Sequence, residues 1–144
     1  MKYFVYSFLS FFLIFIACSS QEGLSQYNDI QIVFGSGGGF SGQEMQYTLD
    51  NTGNITLYDN LTKKTTEVTK IKKKKTLATF DKLDTMNELM IDFNHPGNMY
   101  YFVKQIKGNK EEKIVWGDNT NKVPAEIQEY YNLLMSYVSE SKKK

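Results

Sequence analysis

The hydrophobic pattern of the chain has period two first and a helical period later. From Asp29 to Phe34, the residues Ile30, Ile32 and Phe34 take every second position, the signature of a strand with one buried face. Gln43 to Leu49 repeats the pattern with Met45, Tyr47 and Leu49, and Asn54 to Asp59 repeats it with Ile55 and Leu57. Asp50-Asn51-Thr52-Gly53 between them is turn chemistry, with Gly53 suited to the left-handed position that closes a hairpin. Asn60 to Lys64 turns again, and the threonines and valine of Thr65 to Ile71 predict a fourth strand. From Lys74 to Met90 the period changes. Leu77, Phe80, Leu83, Met86 (or Leu89) and Met90 recur every three or four residues, the stripe of an amphipathic helix. Ile91 to Asn98 breaks it, with His95-Pro96-Gly97 as punctuation. Met99 to Lys107 and Glu111 to Trp116 read as a further hairpin around Gly108-Asn109. Pro124 opens a last helix from its first position, with Ile127, Tyr130, Tyr131, Leu134, Tyr137 and Val138 along one side. The order β-β-β-β-α-β-β-α predicts an α+β fold, an antiparallel sheet of about six strands with two helices packed on one face.

Between the first two strands lies Gly35 to Gly42, GSGGGFSG, where half of the chain's ten glycines surround a single aromatic, Phe40. Glycine reaches conformations closed to other residues and leaves the peptide groups bare, so the stretch reads as a loop built for a tight turn or for close approach by another backbone. Gly37, Gly39 and Gly42 fit G-x-G-x-x-G, but a phosphate loop must open into a helix, and Met45, Tyr47 and Leu49 continue as strand. Nucleotide binding is therefore excluded. A plain hairpin connection and a partner-binding loop of Gly38, Gly39, Phe40, Ser41 and Gly42 both remain.

The first twenty residues have a different character. Lys2 precedes an apolar run from Phe11 to Ala17, and the segment ends Phe15-Ile16-Ala17-Cys18-Ser19-Ser20. A basic start, a short apolar core and a small residue before a cleavage point describe an export signal. Its end resembles the bacterial lipoprotein signal, in which the cysteine is acylated and becomes the first residue. Phe15 stands where leucine is usual. Cys18 is the only cysteine, so an exported chain has no internal disulfide to form. The expected organisation is a signal peptide over residues 1–17, a polar tether over 18–28, a single α+β domain over 29–139 and a lysine-rich tail over 140–144. The expected location is the bacterial cell envelope, lipid-anchored, on the periplasmic or surface face of the outer membrane, with the membrane as a partner through the N-terminal lipid.

Charge narrows the function classes. Without Lys2 the chain carries 16 lysines against 16 acidic residues and no arginine. Bidentate recognition of phosphate leans on arginine, so nucleic acid is not expected as a partner. The runs Lys70, Lys72 to Lys75 and Lys142 to Lys144 read as solvated surface. No cofactor and no metal is implied, because His95 is the one histidine and stands beside a Pro-Gly turn. The same histidine is the one candidate base for a serine triad, and Ser36 and Ser41 lack a nucleophile elbow. Glu44 and Asp50 take polar strand and turn positions, so no catalytic residue is assigned and no enzyme is expected. Trp116 reads as filler between sheet and helix. Tyr100-Tyr101-Phe102 cannot bury every ring on one face, which predicts some aromatic surface.

The element Gly38-Gly39-Phe40-Ser41-Gly42, together with the order of segments from Asp29 to Val138, resembles the emfourin-type proteins, small inhibitors of thermolysin-like metallopeptidases. This chain departs from them in its lipoprotein signal and its lysine-rich arm, Lys63 to Lys75. The resemblance implies a non-catalytic, monomeric protein-binding module, with a metallopeptidase as protein partner. Such peptidases prefer a bulky apolar residue after the cleaved bond, so it further implies that the loop enters the cleft extended. Its bare peptide groups would pair with an edge strand of the enzyme, and Phe40 would fill the apolar pocket. The alternative is a structural or small-ligand-binding envelope lipoprotein.

Overall fold

A computed structural model describes residues 22–86 and 93–142. The elements are α1 (Glu22–Ser25), β1 (Ile30–Gly38), β2 (Gln43–Leu49), β3 (Asn54–Asp59), β4 (Lys64–Lys70), α2 (Lys73–Asp84), β5 (Asn94–His95), β6 (Met99–Lys107), β7 (Lys110–Trp116) and α3 (Ala125–Ser141). The strands form one sheet in the order β4-β3-β2-β1-β6-β7-β5. All pairs are antiparallel except β5 with β7.

The alternation read from the sequence sets the two faces. Ile32, Phe34, Leu49, Ile55, Val103 and Ile114 point to one side and share a buried cluster with Phe80 and Leu83 of α2 and Ile127, Tyr130 and Leu134 of α3. Trp116 lies there too, between sheet and helix: its ring meets that of Tyr131 edge-on at 5.2 Å. A short polar network joins the two helices inside this core. Tyr130 Oη donates to the Thr79 carbonyl (3.0 Å), Thr79 Oγ1 lies 3.0 Å from Tyr137 Oη, and Thr79 Oγ1 reaches the Lys75 carbonyl (2.8 Å). Buried hydroxyls are tolerated only when paired in this way. Burial pushes the Tyr130 hydroxyl well above its ordinary pKa.

The opposite face has a second, smaller cluster, Val33, Phe102 and Val115, with Tyr100 and Ile106 beside it and no helix residue in it. Here the lysine stems take the place of a helix: the Lys113 ammonium stands 4.8 Å from the centroid of Phe102.

The sheet gives the molecule two distinct ends. At one end β1 turns into β2 (Gly39–Gly42), β3 turns into β4, and β6 begins. At the other lie the chain's entry into β1, the turns Asp50–Gly53 and Gly108-Asn109, and the junction of β4 with α2. The core draws on residues from Tyr27 to Val138. The chain from residue 19 onward therefore contains every residue of that cluster.

Five expectations need correction. The sheet has seven strands and is mixed, because Asn94–His95, expected as a break and a turn, pairs in parallel with Val115 and Trp116. The first strand continues through Gly35 to Gly38, as described below. Within the expected tether, Glu22–Ser25 is helical, and Tyr27 is 3% exposed, packed on Phe80 at 5.0 Å between ring centroids. Its hydroxyl reaches Asp81 Oδ1 (2.6 Å) and Asp84 Oδ2 (3.1 Å), so the fold begins before Asp29. The last helix runs through residue 141, into the expected tail, and Pro124 caps it rather than opening its first turn. The end of the predicted first long helix, from residue 87, lies outside the described residues, as does Cys18.

Candidate functional site

The Gly35–Gly42 stretch divides at Gly38. Gly35, Ser36, Gly37 and Gly38 pair with Gln46, Met45, Glu44 and Gln43 on one side and with Phe102, Tyr101, Tyr100 and Met99 on the other. Their peptide groups are therefore held by the sheet's own ladders and are not bare. The need for glycine here is steric. A Cβ on Gly37 would stand 2.5 Å from Tyr100 Oη and 2.6 Å from its Cζ. A Cβ on Gly35 would strike the Met45 carbonyl oxygen and come within 3.1 Å of Phe102 Cζ. With no side chains there, the Tyr100 ring lies across β1 and its hydroxyl donates to Glu44 Oε2 on β2 (2.6 Å). That hydrogen bond, followed by burial, pushes the Tyr100 hydroxyl up to about 12.

Gly39-Phe40-Ser41-Gly42 is what remains outside the ladder. It is a closed turn, with the Gly42 amide donating to the Gly39 carbonyl (3.2 Å). Gly39 has φ +72, which an L side chain rarely adopts. Neighbours fix both legs of the turn. The Gly39 amide donates to the Asn98 carbonyl (2.8 Å). Asn60 donates from Nδ2 to the Gly42 carbonyl (3.0 Å) and accepts from the Glu44 amide at Oδ1 (2.7 Å). Ser41 Oγ accepts from the Gln43 amide (3.3 Å). On this clamped turn Phe40 is 112% exposed relative to a reference residue, so its ring packs against nothing among the described residues.

The structure thus brings Gly38, Gly39, Phe40, Ser41 and Gly42 together at one tip, but as a turn and not as an extended segment. Pairing of the glycine peptides with another protein's edge strand is overturned for Gly35–Gly38, where both ladders are already filled.

Sequence reasoning missed the surroundings of Phe40. Among the described residues the exposed large apolar side chains are Phe40, Leu61, Met99 and Tyr101, and all four belong to the same end of the sheet. Met99 pairs with Gly38, and a Cβ on Gly39 would lie 3.2 Å from its Sδ. Leu61 sits in the turn that Asn60 ties to Gly42. Its amide donates to Asp59 Oδ1 (2.9 Å), the main cause of the lowered Asp59 pKa. Tyr101, 40% exposed, is the rim of an aromatic group with Trp116 (5.9 Å) and Tyr131 (5.6 Å), and so supplies the expected aromatic surface. A leucine inside a polar turn was the available signal for Leu61. Met99 had none, because its exposure depends on its register with Gly38.

His95 Nδ1 stands 3.9 Å from Asp118 Oδ2, and its ring meets Phe93 edge-on. Among the described residues no group of three or more His, Cys, Asp or Glu could hold a metal ion, and no helix is long and apolar enough to cross a membrane. No family model and no curated protein matches this chain.

Proposed function

We propose that this is a non-catalytic protein-binding module, tethered to the bacterial envelope through a lipid on Cys18, that inserts Phe40 into an apolar pocket of its partner. One observation carries the reading: a phenylalanine held wholly in water on a turn whose two legs are hydrogen-bonded in place. An exposed aromatic costs hydration free energy, and a rigid turn removes most of the ordering entropy that binding would otherwise cost. Met99, Leu61 and Tyr101 add apolar surface around it. A central aromatic anchor with such a surround is how binding hot spots are built.

The sharpest form of the proposal is inhibition of a thermolysin-like metallopeptidase, as the resemblance of Gly38–Gly42 to the emfourin-type element implies. The closed turn changes the mode: Phe40 enters the apolar pocket as a knob, without strand addition. The test measures a panel of such peptidases against the domain from residue 19 onward. We expect Phe40→Ala to weaken inhibition by roughly 30- to 1,000-fold, the equivalent of about 2–4 kcal/mol. No inhibition by the wild-type domain removes the peptidase reading, and equal inhibition by both proteins moves the activity off this turn. The anchor has its own test: Cys18→Ser should move the full chain from the detergent phase to the soluble fraction or leave the precursor uncleaved.

One observation favours a second reading, small-ligand binding. A cleft of ≈ 430 Å³ is lined by Gln105, Lys107, Lys110 and Glu112. The Gln105 side chain, 5% exposed, has no hydrogen-bond partner among the described residues.

A further inference from the structure

We propose that the corner where β4 runs into α2 and α3 ends is a docking surface for the anionic headgroups of a phospholipid bilayer. A lysine run and a single lysine far from it in sequence meet there. Lys70, Lys72, Lys73, Lys74 and Lys75 come from the β4–α2 junction, and Lys142 comes from the end of α3. All six are exposed. The two elements are joined by Lys75 Nζ to Glu140 Oε2 (3.2 Å). They also share a cleft of ≈ 260 Å³ lined by Lys70, Lys72, Lys75, Tyr137, Glu140 and Ser141.

The local sequence works against helix formation here. The first turn of α2 holds three lysines and no acid, and Lys72 gives its N-terminus no side-chain cap. Cations at a helix N-terminus oppose the macrodipole. An anion at this corner would offset that. Three acids near this end of the sheet are already engaged. Asp81 and Asp84 hold the Tyr27 hydroxyl, and Asp50 holds its own turn through Thr52 and Asn54.

The chemistry selects a bilayer over a nucleic acid. Every cation is a lysine, a point charge suited to a diffuse layer of headgroups and not to bidentate phosphate recognition. Among the described residues the exposed large apolar side chains stand at the other end of the sheet, and the ring in the corner's cleft, Tyr137, is buried and lies under Lys75, so the corner offers bases no open stacking face. Position agrees with charge. The chain enters the fold at this end, where Tyr27 docks on α2. Cys18 precedes Glu22 by four residues, a span of at most about 14 Å when extended. A lipid on Cys18 would thus hold this end close to the headgroups, within reach of charges screened over about 10 Å. The positional argument rests on the anchor reading above, whereas the binding itself does not.

The experiment is co-sedimentation of the domain from residue 19 onward with vesicles of phosphatidylglycerol and phosphatidylcholine, and with vesicles of phosphatidylcholine alone. The wild-type domain should bind the anionic vesicles only, and more weakly as salt rises. The triple variant Lys70→Gln, Lys72→Gln, Lys74→Gln should lose about 100-fold, roughly fivefold per lysine. A matched triple away from the corner, Lys63→Gln, Lys64→Gln, Lys122→Gln, should lose far less. Phe40→Ala lies at the opposite end and should leave vesicle binding unchanged, so failure of the proposed Phe40 insertion and failure of this proposal are seen separately. Thermal melts check that each variant folds. Absence of binding to anionic vesicles would overturn the proposal, as would equal losses in the two triples. Tighter binding to duplex DNA or heparin than to vesicles at the same salt would overturn it in favour of a soluble polyanion.

Discussion

Gly35–Gly38 and Gly39–Gly42 have nearly the same composition and opposite situations. The first four residues lie in the central strand of the sheet, paired on both sides, with the rings of Tyr100 and Phe102 over two of the glycines. The next four leave the sheet, and the one side chain of size among them touches nothing. In the strand, glycine makes room inside the molecule. In the turn, it permits a backbone that lifts Phe40 out of the molecule. A run of glycines is therefore not one feature, and its meaning comes from what the neighbouring strands place across it.

The contrast makes graded predictions. Gly35→Ala should have the largest effect, because the new methyl meets the Met45 backbone carbonyl, which cannot swing aside as a side chain can. We expect a loss of about 2–4 kcal/mol in urea titration. A loss under about 0.5 kcal/mol would mean that β1 and β2 are not paired as described.

Tyr100→Phe comes next. It keeps the ring over Gly37 and removes the hydrogen bond to half-buried Glu44, at a cost of about 1 kcal/mol after allowance for solvent around the carboxylate. The cost should depend on pH in one direction. The hydroxyl titrates higher in the folded state, about 12 against an ordinary 10.0. Its contribution is thus fully present below about pH 10 and is lost as pH rises through about 12. Stability differences between wild type and Tyr100→Phe, followed from neutral to alkaline pH, should shrink over that window. A difference that stays constant would place the hydroxyl outside the bond to Glu44.

The same contrast explains what the chain disclosed about its own fold. The alternation of Gln43–Leu49 and Asn54–Asp59 fixed those strands to the residue, and Met99–Lys107, which buries Phe102 on one face and Val103 on the other, was legible from its aromatic residues and the Gly108-Asn109 turn after it. Gly35–Gly38 carries one side chain, Ser36, and nothing to alternate with it, so β1 was read four residues short. Asn94–His95 is too short to have a period. Tyr27, a lone aromatic among polar residues, carries no pattern at all, and only the packing of α2 makes it core. The tip residues Gly38–Gly42 were legible because an aromatic among glycines has no local reason to be there. The proximity of Lys142 to Lys72–Lys75 was not legible, since it arises from how α3 crosses the sheet.

Phe40→Ala should have the smallest effect on stability, below about 0.5 kcal/mol, since no contact is lost. Comparing it with Gly35→Ala tests the division of the glycine run directly and needs no partner protein. Urea titrations of the two variants beside wild type should give a large loss for Gly35→Ala and almost none for Phe40→Ala. A loss above about 1.5 kcal/mol for Phe40→Ala would contradict the account, because it would make the ring part of the core and the turn a device for burying it.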